Sequence, residues 1–421
     1  MKIKEKINGW FWVPSLYFIE GLPYVFVMSV SVIFYKKLGL SNSQIAFYTS
    51  WLYLPWIIKP LWSPVVEIFA TKRKWIVATQ FIIGLAFGGI AFSLVTDSTF
   101  RYSLLFFSLI AFASATHDIA ADGFYILAQS PKNQAKFVGI RSAFYRVAMI
   151  TGQGLFVILA GKLETAFGNV KSAWLVVYLI VFSVFLIFSL YHKFILPKEK
   201  NSQTENKTSG YVKLFVKPFM DFFKKNQIGV VIAFLLLYRF SEAQLVKLAT
   251  PFMLDYLQKG GLGLTTSEIG VIYGTIGVIF LVLGGILGGF VIAKDGLKRW
   301  LYPMLFMINL PNAVYLFFAI FQPQNLFIIA SGVAFEQFGY GFGFTAYLVY
   351  AMFISEGEFA TSHYAIATGF MALGMMLPGM ISGYLQEALG YVNFFLWVVI
   401  ATLPSFWIAK FVKIDSEYGK K

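Results

Sequence analysis

Long apolar runs alternate with short polar segments along the whole chain. An α-helix needs roughly 20 mainly apolar residues to cross the hydrocarbon core of a bilayer, and about twelve runs reach that length. They lie near residues 10–35, 44–65, 75–95, 102–129, 137–160, 173–194, 228–257, 267–292, 300–320, 326–353, 363–385 and 391–411. The pattern predicts an all-α integral membrane protein with twelve transmembrane helices.

The amino-acid composition also favours a membrane protein. Of the 421 residues, 58% are hydrophobic and 13% are charged, whereas a soluble globular domain carries about 25% charged residues. The mean hydropathy is +0.71. The basic N-terminus resembles a signal peptide, but the apolar segment after it contains Glu20 and Pro23 and lacks a small-residue cleavage site. We therefore expect this segment to be retained as the first span.

The basic residues are distributed unevenly over the predicted loops. The net charge is +14, and the termini and even-numbered loops hold 23 Lys and Arg residues, against 6 in the odd-numbered loops. Because cytoplasmic loops of membrane proteins are enriched in Lys and Arg, we expect a multi-pass protein with both termini in the cytoplasm. The positive charge therefore indicates topology and gives no reason to expect a nucleic-acid partner.

An internal duplication relates the two halves of the chain. Residues 38–45 and 262–269 share Leu-Gly-Leu, then Ser or Thr, and a final Ile. In each segment the Ser or Thr is expected to cap a helix, with Gln44 or Glu268 three residues later completing a capping box. Each copy would contain an even number of spans, so both copies would have the same orientation, as in parallel repeats.

The duplication predicts three parts. They are an N-terminal six-helix bundle at 1–195, a cytoplasmic linker at 196–227 and a C-terminal six-helix bundle at 228–421. Within the linker, residues 212–225 alternate Phe and Val with Lys. This segment is either an amphipathic helix on the membrane surface or a loosely ordered tether.

A second repeated segment is basic and follows the second span of each half. It contains Glu67, Lys72 and Arg73 in the first copy and Gly289, Lys294, Gly296, Lys298 and Arg299 in the second. Together with the two six-span halves and the long central loop, it resembles the Gly-x-x-x-Asp-Arg-x-Gly-Arg-Arg turn of the major facilitator superfamily, with Ala293 where the second copy should carry the acid. The resemblance implies two six-helix bundles related by a pseudo-twofold axis and a gating role for the two turns.

The fourth span contains Thr-His-Asp-Ile-Ala-Ala-Asp at residues 116–122. This segment resembles the Thr-Gln-Asp-Ile-Ala-x-Asp motif of the muropeptide permease (AmpG) branch of the superfamily, which also contains acetyl-coenzyme A transporters. Further stretches of resemblance lie at 20–23, 55–64 and 145–149, and in the C-terminal half at 369–383. The resemblance implies a secondary transporter of the bacterial inner membrane that imports a cell-wall-derived amino sugar, a muropeptide or a related oligosaccharide, by proton symport and alternating access. Acetyl-coenzyme A or another anionic solute is the alternative substrate.

Acidic residues inside the apolar runs are candidate functional residues, because ionised groups within a bilayer are costly unless they face a cavity or a partner. Asp118 and Asp122 lie one helical turn apart in the fourth span, and Glu20, Glu242 and Glu336 lie in the first, seventh and tenth. In the superfamily these four helices surround the central cavity, so the resemblance implies that the acids converge there. Asp118, Asp122 and Glu20 are the predicted proton-coupling residues.

Basic residues in the spans are expected to balance these charges or to bind substrate. Arg146 is predicted to reach Asp118 or Asp122, either in a proton-exchange site or in a permanent salt bridge that fastens spans 4 and 5. Arg239 precedes Glu242 by three positions, so the two are expected to neutralise one another.

Other polar residues of the spans are further candidates for binding substrate or for modulating coupling. Lys247 remains as a candidate for binding an anionic substrate. Glu336 and Gln337 are either substrate contacts or neighbours of a glycine-mediated helix packing. Tyr125 shares a helical face with both aspartates. His117, which replaces the Gln of the motif, is expected either to modulate coupling or to be a hydrogen-bonded core imidazole.

Other classes of function have weaker support. The chain contains no cysteine, which excludes thiolate metal sites, and its three histidines have no metal-ligand spacing, so no metal or cofactor is expected. No Walker-type phosphate loop and no nucleophile with its base at a fixed spacing are present, so a membrane-embedded transferase is only the second alternative and we do not expect an enzyme.

The expected partners are a sugar-containing or anionic small molecule, protons and the lipid bilayer, with the protein acting as a monomer. Lys59 is expected to extend toward the cytoplasmic surface or to support the nearby turn at Glu67, and Arg141 is expected to extend toward the same surface.

Overall fold

The computed structural model describes residues 8–68, 70–198 and 208–420. Within these residues the chain is helical, and no strand is present. The helices of the first part of the chain are α1 (Val13–Val25), α2 (Ser31–Lys37), α3 (Asn42–Trp51), α4 (Leu54–Ile68), α5 (Lys72–Ser93), α6 (Thr99–Ala128), α7 (Pro131–Met149), α8 (Val157–Phe167) and α9 (Val170–Ile195). Those of the second part are α10 (Thr208–Phe223), α11 (Ile228–Leu237), α12 (Phe240–Leu254), α13 (Thr266–Val271), α14 (Val278–Asp295), α15 (Leu297–Asn309), α16 (Ala313–Phe321), α17 (Leu326–Ser355), α18 (Ala360–Ile400) and α19 (Leu403–Ala409).

Ten helical stretches of the described chain are long and apolar enough to cross a membrane. The last of them, Ala360–Ala409, contains two of the predicted spans, because α18 bends at Gly390, whose φ of +74° is in the left-handed region that favours glycine. The second predicted span consists of two shorter helices, α3 and α4, interrupted at Leu52 and Tyr53. The bent stretch counts as two spans, and α3 with α4 adds one more to the ten. The prediction of twelve transmembrane helices is therefore confirmed.

Both predicted capping boxes are present, at the starts of α3 and α13. The backbone N–H of Gln44 donates to Ser41 Oγ at 3.2 Å, and the backbone N–H of Ser41 donates to Gln44 Oε1 at 3.2 Å. The backbone N–H of Glu268 donates to Thr265 Oγ1 at 3.2 Å, and that of Thr265 donates to Glu268 Oε2 at 2.8 Å. The equivalent segments of the two halves therefore begin a helix with the same local hydrogen bonds.

Contacts between helices divide the chain into two compact units. The first is Met1–Leu38 with Leu61–Ser209, and the second is Gly39–Pro60 with Gly210–Lys421. Helix α3 and the start of α4 therefore group with the second unit. The predicted division into 1–195, 196–227 and 228–421 stays a prediction. Of the linker, α10 is described as a helix, and residues 199–207 lie outside the described part of the chain.

In the first unit, α5 packs against α6 and α9, and α1 packs against α7. A buried aromatic group forms part of the core, with Tyr178 at 5.2 Å from Phe34 and 5.8 Å from Trp174 between ring centroids. The contact between α1 and α7 is close at Gly21, where an added Cβ atom would lie 2.9 Å from Ala148 Cβ. This close packing brings the polar residues of α1 against those of α7.

In the second unit, α17 packs against α14 and α15, and α18 packs against α12 and α3. Glycines allow the backbones of α17 and its neighbours to approach one another. A Cβ atom added to Gly341 would lie 2.0 Å from the carbonyl oxygen of Leu281, and one added to Gly339 would lie 2.3 Å from that of Met307. The glycine-mediated packing predicted after Glu336 is therefore confirmed.

The start of α3 is fastened to α18 by side-chain hydrogen bonds. Asn42 Nδ2 donates to Gln386 Oε1 at 2.6 Å and to Tyr391 Oη at 2.8 Å. Tyr391 Oη donates in turn to Asp255 Oδ2 at 2.6 Å. The backbones are also close here, because a Cβ atom on Gly383 would lie 2.2 Å from the carbonyl oxygen of Asn42. We call Asn42, Gln386, Tyr391 and Asp255 the α3 latch.

Candidate functional site

Asp122 on α6 forms an ion pair with Arg141 on α7. Arg141 Nη2 donates to Asp122 Oδ1 at 2.7 Å, and Tyr17 Oη of α1 donates to the same oxygen at 3.0 Å. The side chains of Arg141 and Asp122 are 28% and 43% exposed, so the pair is not sealed off by protein. Three helices of the first unit therefore meet at one carboxylate.

Two tyrosine rings flank the guanidinium of Arg141. Its central carbon lies 4.4 Å from the ring centroid of Tyr17 and 5.2 Å from that of Tyr125, which are cation–π distances. The two rings are in edge contact at 5.8 Å. The structure thus brings Tyr125 to Asp122 through Arg141, and we call Tyr17, Asp122, Tyr125 and Arg141 the Asp122 cluster.

Arg141, rather than Arg146, is the cation that pairs with an aspartate of α6. Arg146 makes no ion pair within the residues that the structure describes. The expectation that Arg141 extends toward the cytoplasmic surface stays a prediction. Five residues along an α-helix correspond to a rotation of about 140°, so the two arginines lie on different faces of α7. The packing of α7 on α1 directs the face of Arg141 toward Asp122.

Glu20 and Asp118 lie around the same cluster. Glu20 is 6% exposed and is close enough to Arg141 for their charges to interact. Glu20, Asp118 and Asp122 all interact in this way with Tyr145 on α7. The structure therefore brings the three acids into one region of the first unit, and their role in proton coupling stays a prediction.

His117 belongs to a buried chain of polar side chains that the sequence did not indicate. Gln80 on α5 lies between two histidines, with its Nε2 2.9 Å from His117 Nε2 and its Oε1 3.0 Å from His192 Nδ1. Ser15 Oγ lies 3.0 Å from His192 Nε2. His117 is thus a hydrogen-bonded core imidazole, one of its two predicted alternatives. Within the described residues, no group of three or more His, Asp or Glu side chains is arranged to hold a metal ion.

In the second unit, Arg239 and Glu242 form a buried bidentate ion pair, as predicted. Arg239 Nε and Nη2 donate to the two carboxylate oxygens of Glu242 at 2.5 and 2.9 Å. Arg239 Nη2 also donates to Tyr340 Oη at 2.8 Å. The two side chains are only 10% and 1% exposed, so each charge depends on the other for neutralisation.

Glu336 on α17 is a buried acid without a cationic partner among the residues described. It is 2% exposed, and its Oε2 accepts a hydrogen bond from Gln337 Nε2 at 2.9 Å. It is close enough to Glu242 for their charges to interact, so the two acids of this unit occupy one region. A role of Glu336 and Gln337 in binding substrate stays a prediction.

Lys247 on α12 is also buried, at 2% exposed. Its Nζ donates to Thr49 Oγ1 of α3 at 2.9 Å. In the part of the chain that is described, no carboxylate lies within ion-pair distance of it. The predicted role of Lys247 in binding an anionic substrate stays a prediction.

The first predicted gating turn connects α4 and α5. The side chain of Glu67 lies outside the described residues. Lys72 is buried beside α6, where a Cβ atom on Gly123 would lie 3.0 Å from Lys72 Cε. Arg73 Nε donates to the carbonyl oxygen of Leu196 at 3.0 Å, so its positive charge lies at the C-terminal end of α9, where the helix dipole favours a cation.

The second predicted gating turn connects α14 and α15, and its acid lies two positions after Ala293. Asp295 accepts hydrogen bonds from Arg299 Nη1 at 3.2 Å and from Trp300 Nε1 at 3.0 Å. Gly296, with φ of +85°, separates the two helices, and Gly289 has open space beside it. A cavity of about 510 Å³ is lined by Lys294, Asp295, Lys298, Arg299, Ser416 and Lys420.

Comparisons with known proteins agree with this architecture. Residues 15–377 match the family model described as Major Facilitator Superfamily. The chain is 24% identical over 408 residues to the anhydromuropeptide permease of Escherichia coli K12, covering 96% of this chain and 79% of the permease. It is 24% identical over 406 residues to a Rickettsia felis protein named as the transporter AmpG 4, covering 94% of each.

A solved structure of a D-xylose–proton symporter matches 98% of this chain and 99% of its own, with a TM-score of 0.71 at 13% identity. At that identity the likeness shows the fold alone. The family match, in contrast, extends over more than half of the chain. The chain therefore belongs to the major facilitator superfamily, and it is a multi-pass membrane transporter of small molecules, not an enzyme.

Proposed function

We propose that this transporter imports a cell-wall-derived amino-sugar compound, a muropeptide or a related oligosaccharide, together with protons. The alignment of 96% of the chain with a protein named anhydromuropeptide permease supports this substrate class. The observation that carries the proposal is the Asp122 cluster. In this cluster Asp122, the second aspartate of the 116–122 motif, lies beside one arginine and two tyrosines. Its carboxylate is partly exposed and is not enclosed by protein.

The Asp122 cluster has the composition of a sugar-binding site. Small-molecule sites combine aromatic walls with a few placed polar groups that fix orientation. The rings of Tyr17 and Tyr125 supply the walls, and Asp122 and Arg141 supply an acceptor and a set of donors. A sugar with hydroxyl and acetamido groups would use both kinds of contact.

The same cluster supports exchange of a proton. A carboxylate beside a guanidinium keeps its charge, whereas a carboxylate that loses water or its partner favours the protonated form. Asp122 is paired with Arg141 but is 43% exposed, so a conformational change that separates the pair or excludes water alters its proton occupancy. Asp118 and Glu20, in the same region, extend the set of proton-carrying groups.

We place the protein in the bacterial inner membrane as a monomer with both termini in the cytoplasm. The excess of Lys and Arg in the termini and even-numbered loops, 23 against 6, supports this orientation.

Uptake into proteoliposomes with an imposed pH gradient tests the substrate. A radiolabelled anhydromuropeptide should accumulate inside, and unlabelled muropeptide should compete with it, whereas simple sugars and acetyl-coenzyme A should not. Gradient-driven accumulation of acetyl-coenzyme A in place of the muropeptide would establish the alternative substrate.

Two substitutions test the coupling. Asp118→Asn and Asp122→Asn should abolish gradient-driven accumulation while counterflow exchange continues, because exchange needs no net movement of protons. Asp97→Asn, at an exposed position between α5 and α6, is the matched control and should behave as wild type. Unchanged accumulation in both Asp118→Asn and Asp122→Asn would refute proton coupling at these acids.

A further inference from the structure

Lys247 is a cation buried well inside a membrane-spanning helix. Helix α12 ends at Leu254, so the Cα atom of Lys247 lies roughly 10 Å from that end at 1.5 Å rise per residue. The side chain is 2% exposed. Ionisable groups at such depth are costly, and they are typically kept where they serve a partner or a transport pathway.

Among the described residues, the ammonium group of Lys247 contacts two neutral side chains, those of Thr49 and Tyr53. It carries three N–H donors, of which one is used in the hydrogen bond to Thr49 Oγ1 at 2.9 Å. Its nitrogen lies 5.1 Å from the ring centroid of Tyr53, a cation–π contact. Arg239, which directly precedes α12, is neutralised by Glu242. Lys247, in contrast, makes no ion pair among the described residues.

A second polar group, the hydroxyl of Ser50, borders the same place. Ser50 Oγ is buried and has no hydrogen-bond partner within the described residues. Gly379 on α18 lies between the two groups, since a Cβ atom added there would be 2.9 Å from Ser50 Oγ and 3.5 Å from Lys247 Cε. A buried ammonium and a buried hydroxyl therefore lie close together against the backbone of Gly379, which packs on both without room for a side chain of its own.

An anion is the group that complements this corner. Both the ammonium and the hydroxyl can donate, a carboxylate is an acceptor only, and hydrogen bonds between charged groups are about twice as strong as neutral ones. We propose that Lys247 and Ser50 bind a carboxylate of the transported substrate, with Thr49 orienting the ammonium. The inference rests on the proposed function and goes beyond it, because it specifies that the amino-sugar compound is recognised as an anion.

Two residues of α3, Thr49 and Ser50, lie against this corner, so we expect substrate to reach it when α3 moves. Thr49 and Ser50 lie in the last turn of α3, which ends at Trp51. The helix is interrupted at the next two residues before α4 begins. Movement of α3 at this interruption would carry the two hydroxyls away from the ammonium or back onto it.

Uptake of two probes that differ in one group tests the inference. The first probe is the disaccharide of N-acetylglucosamine and anhydro-N-acetylmuramic acid, whose lactyl group ends in a carboxylate, and the second is its methylamide. Wild type should transport the acid with a KM about tenfold or more below that of the amide, the factor expected for a charge-assisted hydrogen bond. In Lys247→Met the preference should fall to within about twofold, with the KM for the amide unchanged.

Three further variants separate charge from packing. Leu248→Met, a volume-conserving change at a buried position of the same helix, should keep the preference for the acid. Lys247→Arg keeps the positive charge and should keep a preference. Thr49→Val removes the hydroxyl that orients the ammonium and should reduce the preference in part, which tests the site even if Lys247→Met does not fold.

Equal KM values for acid and amide in wild type overturn the proposal. So does a preference for the acid in Lys247→Met that is as large as in wild type, or, where the methionine variant does not fold, an undiminished preference in Thr49→Val. If folded wild type takes up neither probe, the proposed function itself fails and this inference fails with it. Uptake of both probes without discrimination leaves the proposed function standing and removes only the anion site.

Discussion

Replacement of Glu242 by Gln should destabilise the protein far more than the same replacement at Glu336. The two carboxyl groups are almost equally buried, at 1% and 2% exposed, and they lie in the same unit. They differ in their partners, because Glu242 neutralises Arg239 whereas Glu336 accepts a hydrogen bond from Gln337. The comparison isolates the cost of leaving a buried guanidinium without its counter-charge.

The expected cost of Glu242→Gln is about 3 kcal/mol, at the lower end of the range of about 3 to 5 kcal/mol for removing one partner of a buried ion pair. The lower end applies because Arg239 Nη2 keeps its hydrogen bond to Tyr340 Oη at 2.8 Å, and the new amide oxygen can accept one of the two former bonds. For Glu336→Gln the cost should stay below about 1 kcal/mol, since the amide retains an acceptor for Gln337 and no cation is left unpaired.

Unfolding of the purified protein in mixed micelles with a rising fraction of SDS gives both free energies of unfolding, followed by tryptophan fluorescence. The double variant Arg239→Met with Glu242→Leu should recover most of the loss, because replacing a whole buried pair by apolar side chains is often neutral. Equal losses in Glu242→Gln and Glu336→Gln would refute the argument from the unpaired guanidinium.

Three more predictions concern other contacts. Gln80→Leu should lower the free energy of unfolding by about 2 kcal/mol or more, since two buried imidazole nitrogens lose their partner; a loss below about 0.5 kcal/mol in the mixed-micelle assay would contradict this. Gly383→Ala should lower thermal stability because its methyl group would lie 2.2 Å from the carbonyl oxygen of Asn42, whereas Gly289→Ala, with open space around it, should not. Arg141→Met should change the free energy of unfolding by less than about 1 kcal/mol, because the ion pair is partly exposed, yet it should abolish muropeptide uptake in proteoliposomes. Retained uptake would show that the cation has no part in transport.

The spans and the local contacts could be predicted from the sequence because they depend on neighbours along the chain. The length of an apolar run determines whether a helix can cross the bilayer. The capping boxes at Ser41 and Thr265 and the ion pair of Arg239 with Glu242 join residues three positions apart. Each contact joins the residue before a helix to the first turn of that helix, so it depends on where the helix begins and little on what packs around it.

The cation that pairs with Asp122 could not be chosen from the sequence. Arg141 and Arg146 both lie on α7, and depth in the membrane does not distinguish their faces. The rotation of α7 is set by its contact with α1 at Gly21 and Ala148, which the sequence pattern does not reveal.

Contacts between distant segments were missed for the same reason. Gln80 contacts His117 across 37 positions, and Thr49 contacts Lys247 across 198. A signal was available for Gln80, because a single amide in a long apolar run needs a partner just as a buried acid does. No comparable signal marks Thr49, since a threonine can satisfy its hydroxyl on its own helix.

The α3 latch makes the docking of that helix an all-or-none event. Asn42 donates to both Gln386 and Tyr391, and Tyr391 donates onward to Asp255. Hydrogen bonds weaken steeply once distance and angle depart from their optimum. A small lateral displacement of α3 would therefore break all the hydrogen bonds of the latch together. We therefore expect α3 to have two stable positions. In the docked position the α3 latch is formed and Lys247 is enclosed, and in the undocked position the latch is broken.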